Sequence, residues 1–280
     1  MKLNKEVMKI RWYAACFLTI LVVWILPAYA TAAETGKGVE KFINHSFCQK
    51  DSLVDKCDDV DSKNLAVYYV SKSAKELVMD ANWNKPEWEA VKAIEIANYM
   101  GEIPLFLPRT EVKMMYTDES LLIIFRVHDR YVRSRIRKFN GPVYEDSCVE
   151  FFFSPDATRP EEYFDLEMNC GGTPLICYVP NKKEFTTEDI EKISIAHSMP
   201  AVVDPEIKEP VTWTIECKIP FKVLEKFSNL VRPSAGAYWR GNFFKTASKT
   251  SNPHYVTWAI VKSSKPNFHL PQFFGKLKFI

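Results

Sequence analysis

The feature that most constrains this chain is a series of short segments whose residues alternate apolar and polar with a period of two. Over residues 163–169, Phe164, Leu166 and Met168 fall on one side, and Tyr163, Asp165, Glu167 and Asn169 on the other. Over 212–219, Trp213, Ile215, Cys217 and Ile219 alternate with Thr212, Thr214, Glu216 and Lys218. Strand side chains point to opposite faces in turn, so the pattern predicts sheet. Further strands are predicted over 65–70, 149–153, 238–245, 255–261 and 276–280. Segments 112–116 and 121–127 read as a hairpin turning at Thr117-Asp118-Glu119-Ser120. The run 121–125 is apolar at every position, as in a strand covered on both faces. Helical signals are brief: Trp83, Trp88, Ala90 and Ala93 ahead of Ile94, and a turn from Pro220 to Phe227. About ten strands with so little helix predict an all-β fold, an antiparallel β-sandwich of jelly-roll type. The 19 Phe, 12 Tyr and 7 Trp suit a thick aromatic core.

The first thirty residues read differently. Lys2, Lys5, Lys9 and Arg11 precede an apolar run over 14–26, followed by Pro27 and Ala28-Tyr29-Ala30. A basic start, a short apolar run and an A-x-A site make a secretory signal peptide. The run is short of the roughly 20 apolar residues that span a bilayer, and an uncleaved N-terminal anchor is the alternative. Cys16 opens the apolar run rather than following it, which excludes lipoprotein acylation. The expected layout is a signal peptide over 1–30, an irregular extension over 31–64 and one β-sandwich over 65–280. The product is expected to be periplasmic, cell-surface or secreted, with no membrane association after cleavage. A net charge of +2 excludes a nucleic-acid binder that works through a basic field. Export permits disulfides: Cys48 and Cys57 flank an acidic loop and are the favoured pair, Cys170 and Cys177 can staple the Gly171-Gly172-Thr173-Pro174 turn, and Cys148 and Cys217 read as buried thiols. Asn44-His45-Ser46 fits a glycosylation sequon in a eukaryotic host.

Enzyme signatures such as GxSxG, HExxH, a Walker loop, GxGxxG and CxxC are absent from the sequence, and its five histidines are scattered. Two constellations remain. Glu150 and Glu167 fall on successive strands, and glycosidases hold two carboxylates about 5–5.5 or 6.5–9.5 Å apart. Hydrolysis of O-glycosyl bonds is therefore the enzymatic alternative; the plainer reading is strand-edge acids that hydrogen-bond or bind Ca2+. The second constellation is aromatic. Tyr144 follows Gly141-Pro142, and Phe268 lies in the proline-flanked loop Lys265-Pro266-Asn267-Phe268-His269-Leu270-Pro271, both outside the alternating pattern. A saccharide presents flat CH faces and a rim of hydroxyls, so two loop rings edged by planar polar groups suit it. The plainer reading is a pair of hydrophobic loop plugs.

Three ordered groups of residues resemble family 9 carbohydrate-binding modules of the exported bacterial branch. They are Tyr144-Glu145-Asp146-Ser147-Cys148-Val149-Glu150-Phe151-Phe152-Phe153 followed by residues 163–171; Trp213-Thr214-Ile215-Glu216 with Ile219-Pro220-Phe221 and 239–245; and Pro253-His254-Tyr255-Val256-Thr257-Trp258 with 267–271 and Phe274-Gly275. The resemblance implies a β-sandwich that binds polysaccharide or oligosaccharide of glucan or xylan type, without catalysis, within a polysaccharide-degradation system. The family's two clamping tryptophans fall on Tyr144 and Phe268, its hydroxyl-binding acid on Glu150, and its strand arginine and asparagine on Glu167 and Asn169. Both rings are smaller here and an acid replaces the arginine, so reducing-end glucan specificity does not carry over. Arg126, His128, Asn242 and His269 are further rim donors. The resemblance also implies structural Ca2+, with oxygen ligands sought around Asp129, Asp146 and Asp165. A related sandwich holds haem, for which His128 or His254 with a methionine would be the axial candidates.

Overall fold

A computed structural model describes residues 64–180 and 183–280. The expected signal peptide, the Cys48–Cys57 pair and the Asn44 sequon lie outside the described residues. Sixteen strands and three short helices follow in the order β1 (Val67–Lys72), α1 (Pro86–Glu89), β2 (Ile94–Ile96), β3 (Asn98–Tyr99), β4 (Arg109–Tyr116), β5 (Ser120–Asp129), β6 (Val132–Ser134), β7 (Cys148–Ser154), β8 (Phe164–Asn169), β9 (Pro174–Tyr178), β10 (Lys183–Glu184), α2 (Thr187–Ile190), β11 (Ser194–His197), β12 (Val203–Ile207), β13 (Val211–Pro220), α3 (Phe221–Leu224), β14 (Tyr238–Thr246), β15 (Tyr255–Thr257) and β16 (Gly275–Phe279). None of the described helices is long and apolar enough to cross a membrane.

One layer has the order β10-β9-β8-β7-β14-β16-β1 and the other β1-β4-β5-β13-β11, so β1 belongs to both. Val67–Val70 pair with β16, and Ser71 and Lys72 pair with Met115 and Tyr116 of β4. Both pairings are parallel, which makes the sheet mixed rather than wholly antiparallel. Parallel neighbours need a long crossover rather than a tight turn. The 36 residues from 73 to 108 supply it between β1 and β4, and alternation within a strand says nothing about such a connection.

The in-pointing residues of the two layers meet in one aromatic core. Phe151 stacks on Phe153 and on Phe243, each at 4.6 Å between ring centres, and Phe243 meets Phe125 of the other layer edge-on at 6.1 Å. The apolar run 121–125 serves both faces as expected. Leu121, Ile123 and Phe125 point into this core, whereas Leu122 and Ile124 pack under Leu77, Trp83, Trp88 and Val91.

That outer cover is anchored by a buried carboxylate. Glu216 accepts from Lys85 Nζ at 2.9 Å, Trp88 Nε1 at 2.8 Å and the amides of Asp80 and Ala81 at 2.9 Å each. Ala81 takes a positive φ of 57° in this turn, a conformation that costs a non-glycine residue and persists where surroundings over-determine it. Strand β15 ends at Thr257 instead of running to 261. Past it, the Asn242 side chain takes over the pairing: Oδ1 accepts the Ala259 amide at 2.8 Å and Nδ2 donates to the Ala259 carbonyl at 3.0 Å. Cys148, Cys170, Cys177 and Cys217 are buried thiols outside any disulfide, so no disulfide staples the β8–β9 turn. Gly172 at φ +84° and Asn169, whose Oδ1 accepts the Thr173 amide at 2.9 Å, shape that turn instead.

Removing the Glu216 carboxylate takes the acceptor from Trp88 Nε1 and from the amides of Asp80 and Ala81, while Lys85 keeps the Val78 carbonyl at 2.6 Å and Asp80 at 2.7 Å. Glu216→Ala is expected to lower unfolding stability by about 3–5 kcal/mol in urea titrations, against a change within about 0.5 kcal/mol for the exposed Glu209→Ala.

Candidate functional site

The strand register that sends Phe151 and Phe153 inward turns Cys148, Glu150 and Phe152 to the outer face of the same layer. There Glu150 stands directly between Glu167 of β8 and Phe244 of β14, and Phe244 in turn pairs with Thr257 of β15. Two carboxylates directly opposite on neighbouring strands destabilise a sheet when both are ionised. Glu150 is 2% and Glu167 5% exposed. One ligand atom from each of Cys148, Glu150 and Glu167 lies within 4.8 Å of the other two. Burial pushes the Glu150 carboxyl up to about 8, with the Lys245 charge pulling the other way. Burial also raises the Cys148 thiol, and the two acids add to the effect.

Tyr144 edges this face from a single 3-10 turn, Val143–Glu145, just ahead of β7. The turn is held tightly. The Tyr144 carbonyl accepts from Ser248 N and Oγ, both at 3.0 Å. Arg133 donates to Asp146 Oδ1 at 3.0 Å and to the Glu145 carbonyl at 2.9 Å. Asp146 Oδ2 accepts the amides of Arg135 and Ile136, at 2.8 Å each, and Asn169 Nδ2 at 3.1 Å. Tyr144 is half-buried. Its hydroxyl is pushed up to about 12, first by burial and then by the charges of Glu167, Glu145 and Glu150. It is therefore a permanent hydroxyl donor beside two carboxyl groups.

The other expected site residues divide sharply. Phe268 is packed rather than free: its ring stacks on Phe244 at 4.2 Å, meets Tyr255 edge-on at 6.2 Å and is 9% exposed. Its loop closes over a second apolar cluster with Met100, Phe152, Tyr163, Val261, Phe273 and Phe274, which is why a proline-flanked loop carries a buried ring. His269 sits 2.9 Å from the Tyr163 hydroxyl and against Phe152, and burial pushes its imidazole down to about 4. Asn169 spends its amide on Asp146, on the Ile136 carbonyl at 2.9 Å and on the Thr173 amide; it shapes the loop under Tyr144. Arg126 and His128 lie on β5 in the other layer. There Arg126 pairs with Glu111 at 2.7 Å and covers the Trp83 ring, and His128 meets Thr212 at 2.9 Å. Asn242 is the buried brace of the 258–259 segment described above.

His254 cannot serve as a haem ligand in this arrangement. Its Nδ1 faces the Asn252 carbonyl at 2.7 Å and its Nε2 accepts from Lys245 Nζ at 2.8 Å. Lys245 also donates to the Thr246 carbonyl at 3.0 Å and lies 3.3 Å from Asp129. This fully buried lysine was missed in the sequence, yet it left a signal: it occupies an in-pointing position of β14, two residues from Phe243. Phe244 was missed as well, since an apolar residue inside an apolar strand carries no mark of the face it takes. The acids considered for Ca2+ do not gather. Asp129 is matched by Lys245 and Asp146 by Arg133, while the metal-ligand cluster among the described residues is Cys148, Glu150 and Glu167.

Comparison with known proteins decides the kinship of the chain. The sequence profile of carbohydrate-binding family 9 matches residues 74–279. The chain belongs to carbohydrate-binding family 9. Members of this family are non-catalytic carbohydrate-binding modules, and carbohydrate binding is the function the kinship assigns. A candidate carbohydrate-binding protein from Bacteroides uniformis is 25% identical with a TM-score of 0.66, over 77% of this chain and 100% of that one. Two solved structures of a family 9 module from Caldicellulosiruptor kristjanssonii share the fold. The complex with cellotriose has a TM-score of 0.55 at 15% identity, over 76% of this chain and 93% of that one. The complex with glucose has a TM-score of 0.54 at 16% identity, over 77% and 96% respectively. An extracellular protein of Arthroderma benhamiae is 24% identical over 181 residues, 62% of this chain and 79% of that protein.

The buried imidazoles set an acid limit on the fold. The folded state refuses a proton that an unfolded histidine accepts near pH 6.5, so stability falls as pH drops from about 6.5 toward 4. Substituting His269→Gln is expected to flatten that slope in unfolding titrations at stepped pH. His254, whose imidazole is also held well below its usual value by burial and by Lys245, keeps a residual slope of the same sign.

Proposed function

We propose that the outer face of β8, β7 and β14, edged by Tyr144, binds a neutral saccharide chain of glucan or xylan type, and that the exported chain serves polysaccharide degradation as a binder rather than a catalyst. The observation that carries this reading is the juxtaposition of a half-buried aromatic ring, held by a braced turn, with two carboxyl groups in one strand row. The Tyr144 ring offers a flat apolar face to sugar CH groups. Its hydroxyl donates, and Glu150 and Glu167 engage the sugar hydroxyls; a hydrogen-bonded, water-poor rim of this kind makes hydroxyl recognition selective. Phe268 contributes by holding Phe244 in place at the edge of the row. The bound cellotriose and glucose of the Caldicellulosiruptor module support a glucan-type ligand. The extracellular Arthroderma relative supports export.

Calorimetric titration with cello- and xylo-oligosaccharides tests the reading. Tyr144→Ala is expected to weaken binding at least tenfold, about 1.4 kcal/mol, with an unchanged melting temperature because the ring sits on a surface turn. Phe268→Ala should weaken binding and also lower stability, because it empties the space over Phe244. Parent-like affinity in both variants would overturn the site. Incubation with the same glycans should release no sugar; release that is lost in Glu150→Gln would transfer the two carboxyl groups to a hydrolytic role.

A further inference from the structure

The row that holds the two carboxyl groups has a second chemical property, which the saccharide reading does not use. Cys148 lies two residues before Glu150 on the same face, and the thiol and both carboxyl groups converge to within 4.8 Å of one another. All three residues are buried. Glu150 is the informative member. At 2% exposure its carboxyl has no hydrogen bond or salt bridge among those seen in the described residues, and burial outweighs the opposing Lys245 charge. A buried carboxylate without a partner is expensive, and here it is placed opposite a second acid and beside a thiol. A divalent cation at the shared point relieves this arrangement, because its charge offsets the two carboxylates and gives Glu150 a partner.

The donor set selects the ion. Ca2+ takes six to eight hard oxygen ligands, and a thiol in the group does not suit it. Zn2+ accepts thiolate sulfur at about 2.3 Å and carboxylate oxygen at about 2.0–2.2 Å, and binds in fours. Three protein donors within 4.8 Å of one another supply three of the four positions and leave one open. We propose that Cys148, Glu150 and Glu167 form a Zn2+ site on the outer face of the β7–β8 pair, with its fourth position open to water or to a ligand hydroxyl. The site shares Glu150 and Glu167 with the proposed saccharide face, but its existence does not rest on that reading.

The test uses the full chain, stripped with chelator and titrated with Zn2+, Co2+ and Ca2+ in the absence of sugar. Expected results are one Zn2+ per chain, little Ca2+ binding, and a thiolate-to-cobalt charge-transfer band on Co2+ addition. Cys148→Ser and Glu150→Gln should each weaken Zn2+ at least tenfold, whereas the exposed Glu119→Gln should leave it unchanged. Absence of Zn2+ binding in the parent, Zn2+ affinity that survives Cys148→Ser, or Ca2+ held in preference to Zn2+ would each overturn the site. If the variants melt too low to titrate, the parent Co2+ spectrum decides alone, since a missing thiolate band removes Cys148 as a ligand. A chain that binds Zn2+ but no glucan or xylan keeps the metal site and loses only the saccharide assignment.

Discussion

The register between β8, β7 and β14 is the constraint on which the rest of the molecule depends. Because side chains alternate with a period of two, a slip of one residue would exchange the two faces completely. In the observed register Phe151, Phe153 and Phe243 enter the sandwich, and Cys148, Glu150, Glu167 and Phe244 turn outward. The aromatic stack is large and dry, so it penalises any slip heavily. The placement of two acids side by side is thus enforced by core packing a strand's thickness away, and need not be favourable in itself.

The same logic explains how polar groups survive inside this fold. Glu216 collects a lysine, an indole and two amides, and so converts a buried charge into the clasp that holds the 77–93 cover on the β4–β5–β13 layer. Lys245 is placed between Asp129, His254 and a backbone carbonyl. Asp146 gathers Arg133, two amides and Asn169 beneath the Tyr144 turn. In each case a buried charge is satisfied by several donors or acceptors. Glu150 stands apart from this pattern, and both proposed sites start from that contrast.

Much of the sandwich was legible from alternation alone. The 121–125 run was correctly read as covered on both faces, and the hairpin turn at 117–120 falls between β4 and β5. The parallel placement of β1 was not legible, since strand direction within a sheet is decided by the path of the connections. Glu150 and Glu167 were marked by position, and the cross-strand pairing brings them together. Arg126 and His128 were marked by residue type, and they lie in the other layer. Phe268 shows the limit most clearly: its proline-flanked loop left clamp and hydrophobic plug both open, and the closed loop spends the ring on Phe244 as a plug.

The chain by itself determined the strand periodicity, the aromatic wealth of the core and the ordered motifs of family 9, because these are local patterns of residue type. Which layer each strand joins, which polar residues meet across 10 to more than 100 positions in sequence, and which ring stays open at the surface were decided only by the tertiary structure. Those outcomes depend on register and loop closure, where packing many residues distant in sequence sets the geometry. Local propensity cannot encode a contact whose two halves are energetically silent until they are brought together.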